Sequence, residues 1–364
     1  MKVLVFPKDL NPYQELLYGQ MRAKHKNIQI DYLTGPTNHQ TINLVLFPIL
    51  LIIYRLRGYK VFHIHWTYFF KIPKFDFAIF KIIMQYYCII AMYFIKILGY
   101  KLIWTVHETI PHDALTDKDV ARSKKVSRQL SRVADAKIIH SKLVINEMKE
   151  ANLDIRNTFI IPHGNYIGVY PDSITPTRAR KKLGISTNEV VILFFGLIRQ
   201  YKGVKELIQA YSKLESKHIR LMIVGKCIDP LLYKTILDAR KLIKFDFYEG
   251  HVLDEDVSLY FKACSIVCLP FKKITTSGSA LLALSFGKPI VAPRIGDLID
   301  LPNSVGYLYD PLKTNGLEYA LKRAVKNKGE IVKHGKNAMK YANNLSWDKI
   351  AGDTYELYRK ILSK

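Results

Sequence analysis

Leu269 to Pro293, LPFKKITTSGSALLALSFGKPIVAP, reads as a strand end, a loop, a helix and a second strand in immediate succession. Ile266 to Leu269 is a short apolar run stopped by Pro270, as expected of a buried parallel strand. Thr275, Thr276, Ser277, Gly278 and Ser279 are small and mostly hydroxylated, and Gly278 lets a ligand approach the backbone. Ala280 to Phe286 is apolar and helix-forming, Gly287 closes it, and Ile290 to Ala292 is the next strand. A hydroxyl-rich loop at a helix N-terminus offers free N–H groups and the positive end of the helix dipole, which suits phosphate. The plainer alternative is an ordinary N-cap on a core helix.

The surrounding chain repeats this strand–helix alternation. In the first half, strands are expected at Lys2–Phe6, Ile28–Leu33, Val61–His65, Leu102–Val106, Ala136–His140 and Thr158–Ile161, with helices between them. A second series follows at Val190–Phe195, Ile219–Val224, Phe245–Glu249, Ser265–Leu269 and Pro289–Ala292. Alternation of this kind implies α/β domains with doubly wound parallel sheets and ligands at the carboxyl ends of the strands. The prolines and charges between Tyr170 and Asn188 suggest a break. The expected division is an N-terminal domain over 1–172, a linker over 173–188, a C-terminal domain over 189–345 and a last helix over 346–364.

Composition narrows the class. The 364 residues are 49% hydrophobic and 24% charged, so the chain is globular and long enough for two domains. Its formal net charge of +24 favours polyanions of any kind. No recognised nucleic-acid-binding motif accompanies that charge, so nucleic acid is not an expected partner. Cys88, Cys227, Cys264 and Cys268 form no C-x-x-C pair, which fits a reduced, cytoplasmic setting without structural zinc. The start of the chain shows no secretory leader. Ile42–Tyr54 and Phe77–Leu98 are apolar, but Pro48 breaks the first and Lys81, Gln85 and Lys96 interrupt the second. An interfacial helix fits them better than a clean span. Arg122, Lys124, Lys125, Arg128 and Arg132 load one helix with positive charge, either as a solvated face or as a contact for anionic lipid or a lipid diphosphate.

Three motifs carry a family resemblance. The helix ending S-F-G-K-P-I-V-A-P resembles the donor-sugar region of GT-B glycosyltransferases of family 4, where the helix ends A-x-G-x-P-V-V-A. The family usually sets two glutamates around this loop, and those positions hold Ile274 and Leu282 here. The second motif, Phe194 to Gly203 (FFGLIRQYKG), is similar to the family's glycine-bounded strand–loop–helix segment, whose basic pair grips the donor diphosphate. Gly196, Arg199 and Lys202 take those places. A guanidinium and an ammonium on such a loop can neutralise a diphosphate whose charge grows as it leaves.

The third, Trp104 to Asp113 (WTVHETIPHD), resembles the T-V-H-[ND]-x-x-P-H variant of some bacterial polysaccharide glycosyltransferases, with Glu108 at the [ND] position. His107 stands where many members carry a histidine beside the donor sugar. With Glu108, His112 and Asp113 it forms a strand-end group that could include a general base, among which His107, Glu108 and Asp113 are the catalytic candidates. Structural hydrogen bonding is the alternative, and the spacing does not suit a zinc helix. Asn11, Tyr13 and Trp66, also beyond strand ends, are candidates for the acceptor side with His112, although His63-Ile-His65-Trp66 can equally be a packed strand. Gly225, Glu249 and His251 stand where backbone groups can read the nucleotide base. Asp254-Glu-Asp256 matches a D-x-D metal motif only superficially and reads better as a helix start with Asp254 as N-cap.

The resemblance implies GT-B architecture, two Rossmann-like doubly wound domains facing a cleft. It implies transfer of a sugar from a nucleotide diphosphate sugar, GDP-mannose by the T-V-H and T-S-G-S features, to a glycan or lipid-linked acceptor. The expected place is the inner face of the cell membrane, in peripheral contact with anionic lipid. No cofactor and no metal are required, because side chains and helix ends can hold the leaving diphosphate. Without the glutamates the stereochemistry stays open, and Thr276, Ser277, Gly278 and Ser279 are expected to replace them as donor clamp. A non-catalytic GT-B partner subunit is the alternative. A dehydrogenase is disfavoured, since no G-x-G-x-x-G follows the first strand.

Overall fold

The computed structural model describes residues 1–363 except Leu10, Pro36, Asn38, 67–76, 110–115 and 215–217, and of Gln40 the backbone alone. The chain forms two units, Met1–His163 with Trp347–Lys364, and Gly164–Ser346.

The first unit is built on a parallel sheet of β1 (Lys2–Phe6), β2 (Gln29–Tyr32), β3 (Val61–Ile64), β4 (Lys101–Thr105), β5 (Ala136–Ile139) and β6 (Thr158–Ile160), in the order β2-β1-β3-β4-β5-β6. Alternate residues of each strand face opposite sides, and both sides are apolar, as a doubly covered parallel sheet requires. Leu4, Phe6, Phe62, Leu102 and Trp104 pack under α2 (Gln40–Leu56), α3 (Ala78–Ile97) and α4 (Asp117–Val133). Val3, Val5, Val61 and Ile103 pack under α1 (Pro12–Lys24) and the last helix of the chain, Trp347–Leu362, through Leu17, Tyr18, Met21, Tyr355 and Tyr358. Lys24 near the end of α1 reaches Asp348 of that last helix at 2.9 Å. A short helix, α5 (Val144–Glu150), lies between β5 and β6.

The second unit holds β7 (Val190–Phe195), β8 (Ile219–Gly225), β9 (Asp246–Glu249), β10 (Ile266–Cys268), β11 (Ile290–Pro293) and β12 (Gly306–Tyr309), all parallel, in the order β12-β11-β10-β7-β8-β9. β7 and β10 are neighbours from which the sheet is wound outward in both directions, so the chain order reverses between them. The helices are α6 (Pro176–Lys182), α7 (Val204–Ser212), α8 (Pro230–Leu242), α9 (Asp254–Ala263), α10 (Gly278–Ser285), α11 (Gly316–Lys326) and α12 (Lys328–Asn343), with Trp347–Leu362 becoming α13.

Several sequence expectations change. The segment 173–188 is not a free linker: α6 occupies it, capped by Thr175 with Pro176 at its first turn, and Arg180 donates to the Ser186 and Glu189 carbonyls and to Ser265. Residues 164–172 likewise belong to the second unit, where Asn165 donates to the Ala342 carbonyl and the Tyr166 N–H to Ser285. A proline followed by charged residues marked a helix start rather than a break. β12 went unread because its four residues, Gly306 to Tyr309, begin with a glycine and include no β-branched residue. Asp254 is the first helical residue of α9, and Leu253 takes the cap position.

Candidate functional site

In an open α/β sheet, ligands bind outside the carboxyl ends of the strands where the winding reverses. In the second unit that point lies beyond β7 and β10, and two loops meet there. After β7, Gly196 (φ 119) leaves the space above it to other groups: a Cβ there would stand 3.5 Å from Lys202 Nζ and 3.7 Å from Ser279 Oγ. Gly203, with φ 72, sits so close to the β10 loop that a Cβ would lie 2.0 Å from the Pro270 carbonyl oxygen. Gly225 at the end of β8 has φ 140 and the same intimacy with the Gly196 carbonyl, at 2.1 Å. These glycines let three loops close over one spot: a Cβ would collide at Gly203 and Gly225, while at Gly196 the positive φ is what favours glycine.

The groups gathered there are cationic or hydrogen-bond donors. Burial, and then the neighbouring Arg199, lowers Lys202 to about 8, because the ammonium is stripped of water beside another cation. Arg199 Nε and Thr276 Oγ1 are both buried, and neither has a hydrogen-bond partner among the described residues. Groups in that state are uncommon in a finished core. At the start of α10, Ser277 caps the helix by accepting from the Ala280 N–H at 3.1 Å, and its own N–H goes to Asp297 at 2.9 Å. The N–H groups of Gly278 and Ser279 have no acceptor among the described residues, as expected of a first helical turn. The structure thus divides the expected clamp: Thr276, Gly278 and Ser279 are available to a ligand, while the Ser277 hydroxyl is engaged in the cap.

Ile274 and Leu282, where the resembling family has glutamates, are both buried apolar residues. A carboxylate does reach the loop from elsewhere: Asp297, after β11, accepts from Ser277 and donates its own N–H to the Thr275 carbonyl at 3.0 Å. Sequence reading missed it, because nothing local marks Gly296-Asp297 as adjacent to Ser277. Glu249 pairs beside Gly225 at the end of β9, where it accepts from the Cys227 N–H, and His251 is exposed just beyond.

In the first unit the winding reverses between β1 and β3, and the strand ends there carry aromatic and imidazole rings. His65, His107, His140 and His163 follow β3, β4, β5 and β6 in turn. All four pack around Tyr13, with ring centroids 5.7, 4.9, 5.5 and 4.9 Å away, and Trp347 of α13 closes the circle at 5.4 Å. Trp66 stacks on His107 at 4.3 Å with the planes 11° apart. Burial lowers His63 to about 3 and His140 to about 4. Burial also holds His65 and His107 well below the usual imidazole value, with His63 adding most to His65 and His140 to His107. The rings are neutral at physiological pH. Among the described residues no group of three histidine, cysteine or acidic side chains is arranged to hold a metal ion.

The expected site residues of this unit divide likewise. His107 and Glu108 stand partly exposed beyond β4, beside Trp66. Asn11 is exposed and caps α1 by accepting from the Tyr13 N–H at 2.9 Å, and Tyr13 is 2% exposed among the strand-end rings. His112 and Asp113 lie outside the described residues. Tyr18, Thr105, His140 and Tyr358 were not singled out by sequence, and His163 only as part of the strand-end stretch 162–165, although a histidine just past each of four successive strands is a legible pattern.

Residues 176–345 match the family described as glycosyl transferases group 1. The GDP-mannose:glycolipid 4-beta-D-mannosyltransferase of Xanthomonas campestris pv. campestris is 26% identical over 266 residues, covering 70% of this chain and 68% of that protein. The D-inositol 3-phosphate glycosyltransferase of Rhodococcus jostii (strain RHA1) is 25% identical over 284 residues, 72% of this chain and 61% of the relative. Among solved structures, sucrose-phosphate synthase from Thermosynechococcus elongatus superposes with a TM-score of 0.75 at 18% identity, covering 100% of this chain and 99% of its own. The protein is a glycosyltransferase of the GT-B fold. The stretch similar to group 1 glycosyl transferases, residues 176–345, falls within its second unit, and nucleotide-sugar glycosyl transfer is its chemistry.

Proposed function

We propose that the donor is GDP-mannose, that the acceptor is a lipid-linked glycan, and that transfer takes place at the inner face of the cell membrane without a metal or other cofactor. The observation that carries the donor site is the convergence of Arg199, Lys202, Thr276 and the Gly278 and Ser279 N–H groups beyond β7 and β10. Arg199 Nε and Thr276 Oγ1 are buried there, unanswered by the described residues. A diphosphate answers both. Its negative charge restores full protonation of Lys202, and the amides and guanidinium take up the charge that develops as the nucleotide leaves. Glu249 and His251, beyond Gly225, are in place for the base and ribose.

No carboxylate stands at positions 274 and 282, so the sugar is held mainly by groups beyond β3 and β4: His107, Trp66 and Glu108. Glu108 is the described residue to test as the base if the reaction inverts. The preference for GDP-mannose and a glycolipid rests on what the Xanthomonas relative is named for.

The membrane contact rests on α2 and α3. They expose the large apolar side chains of Val45, Ile49, Leu56, Ile79, Ile83, Ile90 and Ile97. Among the described residues α3 is the one helix long and apolar enough to cross a membrane. Lys125 of α4 bonds Tyr86 at 3.1 Å, bringing the basic helix beside α3. Exposed apolar side chains bordered by cations suit an anionic bilayer surface.

Thermal shift with GDP, UDP and dTDP, followed by turnover of the matching sugars, tests the reading. Stabilisation by GDP and transfer from GDP-mannose are expected. Stabilisation by UDP or dTDP alone overturns the donor assignment.

A further inference from the structure

Six groups in the first unit form one hydrogen-bonded string that ends at His107. Tyr358 Oη lies 2.5 Å from His63 Nδ1, and His63 Nε2 lies 2.7 Å from Thr105 Oγ1. Tyr18 Oη lies 2.6 Å from His65 Nε2 and 2.9 Å from His63 Nδ1. His65 Nδ1 lies 3.1 Å from His107 Nε2. Every member before His107 is essentially unexposed. Burial raises Tyr18 and Tyr358 and lowers the imidazoles, so each phenol keeps its proton and each ring is neutral.

A neutral imidazole has one N–H and one lone pair, so the role of one nitrogen fixes that of the other. Phenols are acids of pKa ~10, far stronger than a neutral imidazole N–H, so O–H to N is the favoured direction between them. Tyr18 and Tyr358 have one proton each and also hydrogen-bond each other; the shortest ring contact of each is to a different ring, and the two protons are assigned to those contacts. His65 Nε2 and His63 Nδ1 are then acceptors. It follows that His63 Nε2–H donates to Thr105 and His65 Nδ1–H donates to His107 Nε2. The one proton of His107 must sit on Nδ1. Nδ1 has no hydrogen-bond partner among the described residues, and His107 is the one ring of the string that is partly exposed.

We propose that Tyr18 and Tyr358, acting through His65 and His63, lock His107 as a neutral hydrogen-bond donor whose Nδ1–H is offered to an oxygen of the bound sugar, so that His107 is not the base that takes the acceptor's proton. This rests on the reading that the strand ends of the first unit hold the sugar. Tyr18 and Tyr358 are positioning residues and His107 is the contacting one. The titratable groups facing His107 are Tyr13 on α1, His65 after β3, His140 after β5 and His163 after β6, with Glu108 next to it in the chain. The arrangement keeps an imidazole uncharged yet donating, a known way to polarise a substrate oxygen at neutral pH.

The test is nitrogen NMR of the full chain with labelled histidine rings, His107 being assigned by loss of its signals in His107→Ala. A protonated Nδ1 and a bare Nε2, with no titration between about pH 5.5 and 8.5, are expected. A protonated Nε2 overturns the lock. In kinetics, His107→Asn keeps an N–H donor and cannot take a proton, so it should retain about tenfold more turnover than His107→Ala. Equal loss in both overturns the donor role. Tyr18→Phe should mix the His107 tautomers and lower kcat about tenfold while the Kd for GDP stays unchanged. A folded Tyr18→Phe protein with wild-type tautomer and kcat also refutes the lock. Full activity in His107→Ala sinks instead the sugar-contact reading on which it rests.

Discussion

Acidification from pH 7.5 to 5.0 should weaken the first unit by several kcal/mol, well above the range in which carboxylates titrate. An unfolded histidine binds its proton with a pKa near 6.5. In the fold, burial holds His63 at about 3 and His140 at about 4. Because the folded values lie below the unfolded one, their contribution is fully present above pH 6.5 and is lost as the pH falls toward the folded values. At pH 5.0 the unfolded chain holds nearly one proton more per ring, which is about 2 kcal/mol for each and about 4 kcal/mol for the two. His65 and His107 act in the same direction. A typical domain has only about 5–15 kcal/mol to lose. Asp119, held at about 2 by Thr116 and Arg122, and Asp154, held at about 2 by Arg156, weaken the fold only as the pH falls below their ordinary carboxyl value. All three tryptophans, Trp66, Trp104 and Trp347, lie in the first unit, so their fluorescence in urea titrations at stepped pH reports on it. High salt screens general repulsion among the +24 net charges but not the desolvation of buried rings, and so separates the two causes. His140→Phe should remove one proton from the slope, about 1.4 kcal/mol per pH unit. A midpoint unchanged between pH 7.5 and 5.0 would refute burial of neutral rings.

Arg199→Ala and Lys202→Ala should each weaken GDP binding about tenfold or more by calorimetry, the worth of one charge-assisted hydrogen bond, while the melting temperature holds. Binding of GDP should also fall as the pH rises above 8, since Lys202, lowered to about 8 in the empty site, must carry its proton to meet a diphosphate; Lys202→Ala should flatten that dependence. Gly278→Val should abolish GDP binding, because even a Cβ there meets the Tyr166 hydroxyl at 3.1 Å and the added methyls crowd the open N–H groups; binding as in wild type would reduce the loop to a helix cap. Ile49→Glu with Ile83→Glu, both exposed on α2 and α3, should release the protein from anionic vesicles in a flotation assay without altering GDP affinity; unchanged flotation would remove these side chains as the contact.

Much of the donor half could be read from the sequence because its chemistry is local. Gly196, Arg199, Lys202 and Gly203 sit within one loop, and the Thr275–Ser279 run within another, so spacing alone announces two loops that can close on one ligand. The sheet order then explains why they meet: β7 and β10 are hydrogen-bonded neighbours although a large part of the second unit separates them in sequence. What spacing could not supply was Asp297, which reaches Ser277 from the next strand–loop junction, or the use of Ser277 as a cap instead of a clamp. Hydroxyls before a helix serve either purpose, and only the direction of one side chain decides.

The ring cluster of the first unit was less legible for a different reason. Its elements come from α1, four strand ends and α13, and no window of sequence contains more than two of them. Tyr18 and Tyr358 look like ordinary core tyrosines on amphipathic helices, and by packing they are. Their hydroxyls matter because His63 on β3 and His65 just beyond its end, two residues apart, lie on the same side and present nitrogens where apolar atoms would be expected. Burying those imidazoles is costly in acid and adds little that an apolar core would lack. The cost has a use if the string fixes which nitrogen of His107 carries the proton. On that account the residues most damaging to turnover should include buried ones that never touch the sugar. Tyr18→Phe, which deletes a single oxygen from a residue with no exposed surface, is the sharpest instance.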